Sequence, residues 1–396
     1  MMQPCPECPW KGGGGCVESP ERKRGAMVGV LGEGPAQEEV ERVPQMCFVG
    51  PSGWELEKTL RRAGIARQEV TVENAFACWK PRSATAGQEG KAVGACRGRV
   101  EAWMGQTEPK SLLLLGGSAL ASVAPGFMPG GVMRHRGSLW SAQEVRAAND
   151  SAGMKVQIPQ SVRWIMATLH PAAIIRRERL AGFAAMGYRL VPAIDLRRLM
   201  LAVRNGRVLA PLEMEYGVPP FSGEGFVFDL EGYDQIDWVG VQKLEGGVVW
   251  GAEWSVMERW MRREMGREGT LKVGHNITGF DLHRLLDAGV EVKGPFGDTQ
   301  ALGGMCEPDM ARGLYYQMAY YGGDIRPYWK QLSERGDKPW EIRRRQALWA
   351  AWVETGMASE GWMGVQREQF YNALDVDSAR LSWGAQMERA RNEGWA

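Results

Sequence analysis

Three sets of residues in this 396-residue sequence have the types and spacing to do chemistry. In the first, a short apolar run from Met27 to Leu31 ends in Gly32-Glu33-Gly34-Pro35, so a strand empties into a glycine-broken loop with a carboxylate at its mouth. Asn74 lies near the end of a second run (VTVENA), Phe48 precedes a helix, and His170 follows the strand pattern VRWIMATL. In open α/β sheets ligands bind beyond the carboxyl ends of strands, where such groups can grip a planar molecule and hold or move protons. In the second set, Asp229 and Glu231 alternate along one strand (FVFDLEG) and so point to one face. Asp281 falls in the first turn of a helix after His275-Asn276, and Tyr371 and Asp375, four apart, share one helix face. Clustered carboxylates repel unless a cation joins them, which is the chemistry of a hard divalent metal. The third set is Cys5-x-x-Cys8 with Cys78 and Cys96 downstream, four thiols that suit tetrahedral zinc or a four-iron cluster. Cys16 lies outside that spacing and is expected to be a bystander.

Composition narrows the classes. Lys and Arg number 48 against 47 Asp and Glu, so no basic tail announces nucleic acid, although Arg, the better fork for phosphate, carries most of the positive charge. No apolar run reaches the length of a membrane span, and MMQPCPECPW has no signal-peptide core, so a cytoplasmic protein with no membrane partner is expected. In that compartment seven cysteines argue for ligation over disulfides.

The elements that must position these residues follow the α/β pattern. Strands are expected at 27–31, 70–75, 111–115 and 162–169, the last followed by a helix carrying Arg176, Arg177 and Arg179. Ser52 with Glu55 reads as a capping box for a helix that Gly64 stops, Glu38 to Met46 reads as irregular, Lys80 to Lys91 as a polar loop, and Cys96 to Met104 as a helix. Glu33, Phe48, Asn74 and His170 then all stand at one edge of a parallel sheet. A helix ending near Val203 gives way to Asn205-Gly206 and then to Pro211, Pro219 and Pro220, which predicts a first domain over 1–203, a linker over 204–220 and a second domain over 221–396. In the second domain, 226–230, 237–242 and 247–252 read as a meander, with a further strand at 271–273; Asp234, Asp298 and Asp377 read as solvated acids.

The order GEGPAQEE, FVG, NAFAC, LLLLG, Arg136-Gly137 and LHPA before an Arg-rich helix resembles the iron–sulfur uracil-DNA glycosylases, often called family 4. The resemblance implies an α/β/α parallel-sheet domain with a four-iron cluster on Cys5, Cys8, Cys78 and Cys96 and a pocket for a uracil flipped out of DNA. Phe48 would stack on the base, Gly34 would line its pocket and the Asn74 amide would match its edge; His170 would hydrogen-bond the departing carbonyl, and Glu33 would position water. The arginines after His170 would hold phosphates. Departures are Ala36 in place of the second loop glycine, Cys47 in place of the proline before Phe48, and a stretch between Glu39 and Cys47 about two residues longer than usual.

The order FDLE, HN…FD and Y-x-x-x-D is similar to the three motifs of the DEDD 3′–5′ exonucleases in their tyrosine subclass, which implies an RNase H-like, mixed-sheet domain. That resemblance puts Asp229, Glu231, Asp281 and Asp375 around two magnesium or manganese ions, with Tyr371 orienting the attacking water. The Trp- and Arg-rich stretch 327–361 would suit single-stranded bases. The whole chain thus resembles a bacteriophage-type replication or repair enzyme acting on DNA that is single-stranded or frayed at its 3′ end, with a separate DNA polymerase as a partner. An alternative keeps the exonuclease and makes the first domain a non-catalytic DNA or replisome binder.

Overall fold

The structure is a computed structural model and describes residues 7–10, 16–17, 22–41, 46–128, 131–181, 188–206, 212–307, 312–321, 349 and 367–394. The chain divides into two compact units, one holding Met1–Val208 and the other Leu209–Asp324 and Val353–Ala396.

The first unit is built on five strands, β1 (Val28–Gly32), β2 (Val70–Asn74), β3 (Ser111–Leu115), β4 (Leu139–Ser141) and β5 (Trp164–Thr168), in the order β2-β1-β3-β5-β4. All pair in parallel except β4, which runs antiparallel to β5. Every residue of β3 is buried, Leu112 and Leu114 in one core and Leu113 and Leu115 in the other, as a strand covered on both faces requires. This is why its sequence is a continuous apolar run and not an alternating one. β4 has only three residues, too few for a period-2 signal, and the sequence did not reveal it.

Several local expectations change. The helix after Phe48 runs Pro51–Arg62 and starts one residue before Ser52; proline stands in its first turn and no side chain caps it, so the Ser52/Glu55 box does not form. Its far end does close on Gly64, with Gly64 N–H donating to the Arg61 carbonyl and Ile65 N–H to that of Leu60. The stretch after Glu38 is not wholly irregular, because Gln37–Glu41 is helical. The polar loop is shorter than expected: Thr85 accepts from Gln88 N–H while its own N–H donates to the Gln88 side chain, and this capping box starts a helix over Ala86–Thr107.

The second unit carries β6 (Met214–Tyr216), β7 (Phe226–Glu231), β8 (Trp238–Lys243), β9 (Val249–Glu253), β10 (Lys272–Gly274) and β11 (Phe296–Asp298), in the order β11-β10-β7-β8-β9-β6. β7, β8 and β9 form the antiparallel meander, while β10 and β11 on one side and β6 on the other pair in parallel. Met214–Tyr216 falls in the stretch expected as linker: prolines on both sides hid three residues of strand. The helix Arg367–Asn392 packs on β7 and β8 and carries the last motif to the sheet. Among the described residues no helix is long and apolar enough to cross a membrane.

Candidate functional site

In the first unit the loop mouths of β1, β2 and β5 gather the four expected side chains. Gly32, the last residue of β1, is the centre of the arrangement: a Cβ there would lie 2.4 Å from Phe48 Cζ and 2.5 Å from Asn74 Oδ1. Only a residue without a side chain lets the ring and the amide approach the same point. Phe48 is buried and held in the left-handed region, at φ 59°, and its ring centroid lies 6.3 Å from that of His170. Asn74 is buried at the end of β2; its Nδ2 donates to Cys47 Sγ at 3.4 Å and its carbonyl accepts from the Arg99 guanidinium. Arg99 in turn pairs with buried Glu73 at 3.0 Å, and Glu73 Oε1 accepts from Asn74 N–H at 2.9 Å. The residue that stands in place of proline is therefore a direct partner of the candidate base-reading amide.

His170 is buried, and burial first, with Arg176 second, pulls its pKa down to about 4, so the imidazole is neutral near pH 7. Its Nδ1 accepts the Ala172 N–H at 3.2 Å, which places the ring proton on Nε2. The strand that delivers it is anchored below: Arg136 donates to both Asp195 oxygens, at 2.8 and 3.2 Å, and Thr168 Oγ1 donates to Asp195 at 2.6 Å, all fully buried. Arg136 is the arginine of the Arg136-Gly137 motif, and its role is to fix the exit of β5.

Glu33 is half-buried, and its pKa is raised by burial and by Glu89, against the opposing pull of Lys80, the Gly117 N–H and Arg176. Glu89 is bonded to Lys80 at 2.6 Å and accepts from Ser118 Oγ. These two charged residues lie in what sequence reasoning treated as a featureless polar loop; the T-x-x-Q cap was the available signal. Gly34 is packed against Phe76, whose ring would lie 1.8 Å from a Cβ on it. Arg176 and Arg177 are exposed, Arg177 stacking over Tyr188 at 4.0 Å, and the Arg179 side chain lies outside the described residues.

Cys8, Cys16, Cys78 and Cys96 are buried in one apolar cluster with Trp10 and Phe76. Cys5 lies outside the described residues. Cys16, which lies outside the expected ligand spacing, forms a β-bridge with Cys78, and their sulfurs are 2.7 Å apart. Sequence spacing missed it because strand pairing, not the interval between cysteines, brings it there. Phe76 meets Trp10 edge to face at 5.0 Å, so one side chain joins this cluster to the Glu33 loop.

In the second unit, ligand oxygens of Asp229, Glu231 and Asp375 all lie within 4.8 Å of one another. The first two project from one face of β7 and the third from the helix Arg367–Asn392. Asp281 is buried beside them, accepting the Leu230 N–H at 3.0 Å. Burial first, with Glu231 and Asp298 adding repulsion, pushes its pKa up to about 8. Tyr371 is driven far above its ordinary range by burial and then by Asp375, Asp229 and Glu231, so its hydroxyl stays protonated among the carboxylates. Three converging carboxylates, with a fourth buried beside them, form a donor set that fits hard cations.

Asn372 was missed. It is fully buried, and its Nδ2 donates to Asp229 Oδ2 at 2.8 Å and to the Asp229 carbonyl at 3.2 Å. Gly240, the cross-strand partner of Asp229, makes the room, since a Cβ there would fall 1.9 Å from Asn372 Oδ1. The pairing of Tyr371 with Asp375 drew attention away from the residue between them. Two acids expected as solvated are also structural: Asp298 caps the helix Thr299–Cys306 and holds the turn at Asn276 and Thr278, and Asp377 is buried against Arg380 at 2.9 Å. Asp234 is exposed, as expected. The Trp- and Arg-rich stretch 327–361 lies outside the described residues, apart from Trp349.

Residues 21–187 match the family model of the uracil DNA glycosylase superfamily, so this part of the chain is a uracil-DNA-glycosylase-like domain. No curated protein matches the chain.

Proposed function

We propose that the chain is a two-activity DNA-processing enzyme, in which the first unit excises uracil and the second trims DNA from its 3′ end. The glycosylase reading rests on one observation above the others: Phe48 and Asn74 converge on the side-chain-free position of Gly32, with the His170 ring 6.3 Å from that of Phe48, at strand exits of a domain in the uracil DNA glycosylase superfamily. An extruded uracil stacks on Phe48 and presents its edge to Asn74. Neutral His170 donates its Nε2 proton in a hydrogen bond to the uracil oxygen on which charge grows as the glycosidic bond breaks. Glu33 holds a water against the sugar that becomes cationic, and Lys80 and Arg176 temper the repulsion from Glu89. The buried cysteines beside Phe76 suit a four-iron cluster, which would place this domain with the iron–sulfur enzymes.

The exonuclease reading rests on the convergence of Asp229, Glu231 and Asp375. Two magnesium or manganese ions, once held there and by Asp281, would activate water and neutralise the leaving 3′ oxygen. Asn372 fixes the Asp229 carboxylate, and protonated Tyr371 offers a hydrogen bond to orient the attacking water. A second domain of RNase H-like type, beside a glycosylase, matches a role in replication or repair on single-stranded or frayed DNA, with a polymerase supplied by another chain and the enzyme in the cytoplasm of a bacterial or phage-infected cell.

A single 5′-labelled oligonucleotide with one uracil tests both halves. Without divalent metal, alkali cleavage at the uracil alone is expected; with magnesium, a ladder from the 3′ end is added. Absence of the alkali-sensitive product removes the glycosylase, and absence of the ladder with either metal removes the exonuclease.

A further inference from the structure

We propose that Cys47 is a specificity-determining residue of the base pocket: its sulfur fixes which way the Asn74 amide faces, so that the pocket meets uracil with an acceptor and refuses cytosine. The inference rests on the reading that Asn74 takes the edge of a flipped base. It concerns a position at which this chain departs from the proline of the family it resembles.

The amide has two unlike ends, and the geometry separates them. Asn74 Oδ1 lies beside the vacancy at Gly32, 2.5 Å from where a Cβ would stand, while Nδ2 donates to Cys47 Sγ at 3.4 Å. The sulfur serves Nδ2 as an acceptor because its own proton is directed elsewhere: the thiol donates to Glu73 Oε1 at 3.8 Å. Burial first, then Glu73 and Glu39, raise the Cys47 pKa, so the thiol keeps that proton. Glu73 pairs with Arg99 at 3.0 Å, and its Oε1 also accepts the Asn74 N–H at 2.9 Å. Arg99 closes the ring by donating to the Asn74 carbonyl. Cys47, Glu73 and Asn74 are each at most 2% exposed, so water does not compete for these bonds.

An amide turned by half a rotation would set Oδ1 against the sulfur lone pairs and leave a buried acceptor unmade, which costs more than a bond of this kind returns. Held as it is, Asn74 presents a carbonyl oxygen to the ligand. Uracil carries N3–H, a donor that this oxygen accepts, whereas the unprotonated N3 of cytosine turns a lone pair toward it. Selectivity then comes from a match with one base and a repulsion of the other. A proline at position 47 offers Nδ2 no side-chain acceptor, so the resemblance does not supply this lock.

The test is the affinity of the full chain, without divalent metal, for labelled oligonucleotides carrying one 2′-fluorodeoxyuridine or one 2′-fluorodeoxycytidine, whose glycosidic bonds resist cleavage, read by fluorescence anisotropy. Wild-type protein is expected to prefer the uracil strand, and Cys47→Ala to cut that preference about tenfold by binding uracil less tightly and cytosine more tightly. Cys47→Ser, whose hydroxyl accepts from Nδ2 and donates to Glu73, should stay within about threefold of the wild-type preference. A merely structural Cys47 would weaken both strands alike, so an unchanged preference in Cys47→Ala overturns the inference. A loss in Cys47→Ser equal to that in Cys47→Ala overturns it as well. If Cys47→Ala does not fold, Cys47→Val, which fills the space without accepting a bond, takes its place. Wild-type protein with no preference for uracil would instead overturn the reading of Asn74, an outcome distinct from a selective protein indifferent to Cys47.

Discussion

Adding one methyl group at Gly32 tests whether the pocket is where we place it. In Gly32→Ala the new carbon would sit 2.4 Å from the Phe48 ring and 2.5 Å from the Asn74 amide oxygen, against an ordinary contact of 3.4 Å or more. Each group must therefore retreat by about 1 Å, and misplacement on that scale typically costs about a hundredfold in rate. Gly32 ends strand β1 in extended backbone, so the alanine imposes no conformational strain, and the fold should lose only the cost of overpacking, about 1–3 kcal/mol. Single-turnover excision from a uracil oligonucleotide measures the first effect and thermal unfolding the second. The expected result is excision reduced about a hundredfold with a folded domain and intact DNA binding. Excision within a few-fold of wild type would show that Phe48 and Asn74 do not hold the base, and the assignment of the pocket would fail with it.

Further outcomes are expected. His170→Ala should slow excision about a hundredfold, or about 3 kcal/mol, by removing one preorganised donor to a developing anion; full activity would take His170 out of the mechanism. Because its folded pKa is about 4 against 6.5 when unfolded, the native state binds fewer protons between those values. Stability should therefore be complete above pH 6.5 and fall by roughly 3 kcal/mol as pH drops toward 4, and His170→Gln should flatten that part of the denaturation profile. Asp229→Ala should abolish magnesium-dependent trimming without changing uracil excision, whereas Asn372→Ala, which removes the bonds to the Asp229 carboxylate and carbonyl and to Glu231, should slow trimming and weaken metal binding, about 10- to 100-fold; trimming by Asp229→Ala would refute the metal site. Asp195→Asn should cost about 3–5 kcal/mol by stranding the Arg136 guanidinium in the core, read as a lowered denaturation midpoint, and an unchanged midpoint would deny that the pair anchors β5.

The legible parts of this molecule are those where one residue type has one use. The strand SLLLL could only be buried on both faces, and FVFDLE could only put two carboxylates on one side, so the parallel core and the meander were both readable. So were Glu33, Phe48, Asn74 and His170 as a group, because strand exits of a parallel sheet share an edge. What escaped depends on contacts between distant segments. The vacancy at Gly32 exists only because Phe48 and Asn74 converge on it, and nothing local separates it from any other strand-ending glycine. Asn372 matters through Gly240 across the sheet, and Cys16 through a bridge to Cys78, relations that no interval along the chain encodes. Arg136 could be noticed as a motif, but its purpose needed Asp195, fifty-nine residues away.

Three residues of strand in the proline-flanked stretch bear on how the second unit can be handled. β6 covers the outer side of β9, is itself short, and carries Glu215 and an exposed Tyr216 whose hydroxyl donates to Glu253 at 2.6 Å. It is thus a shield that ends the sheet with charge. A fragment begun at Phe221, where composition alone would place the domain's start, keeps the whole meander yet lays open the N–H and C=O row of Val249–Glu253. Such a fragment invites edge-to-edge pairing between molecules, and turbidity at rising concentration would follow from the cut and not from any fault at the carboxylate cluster. A fragment begun at Leu212 retains the shield.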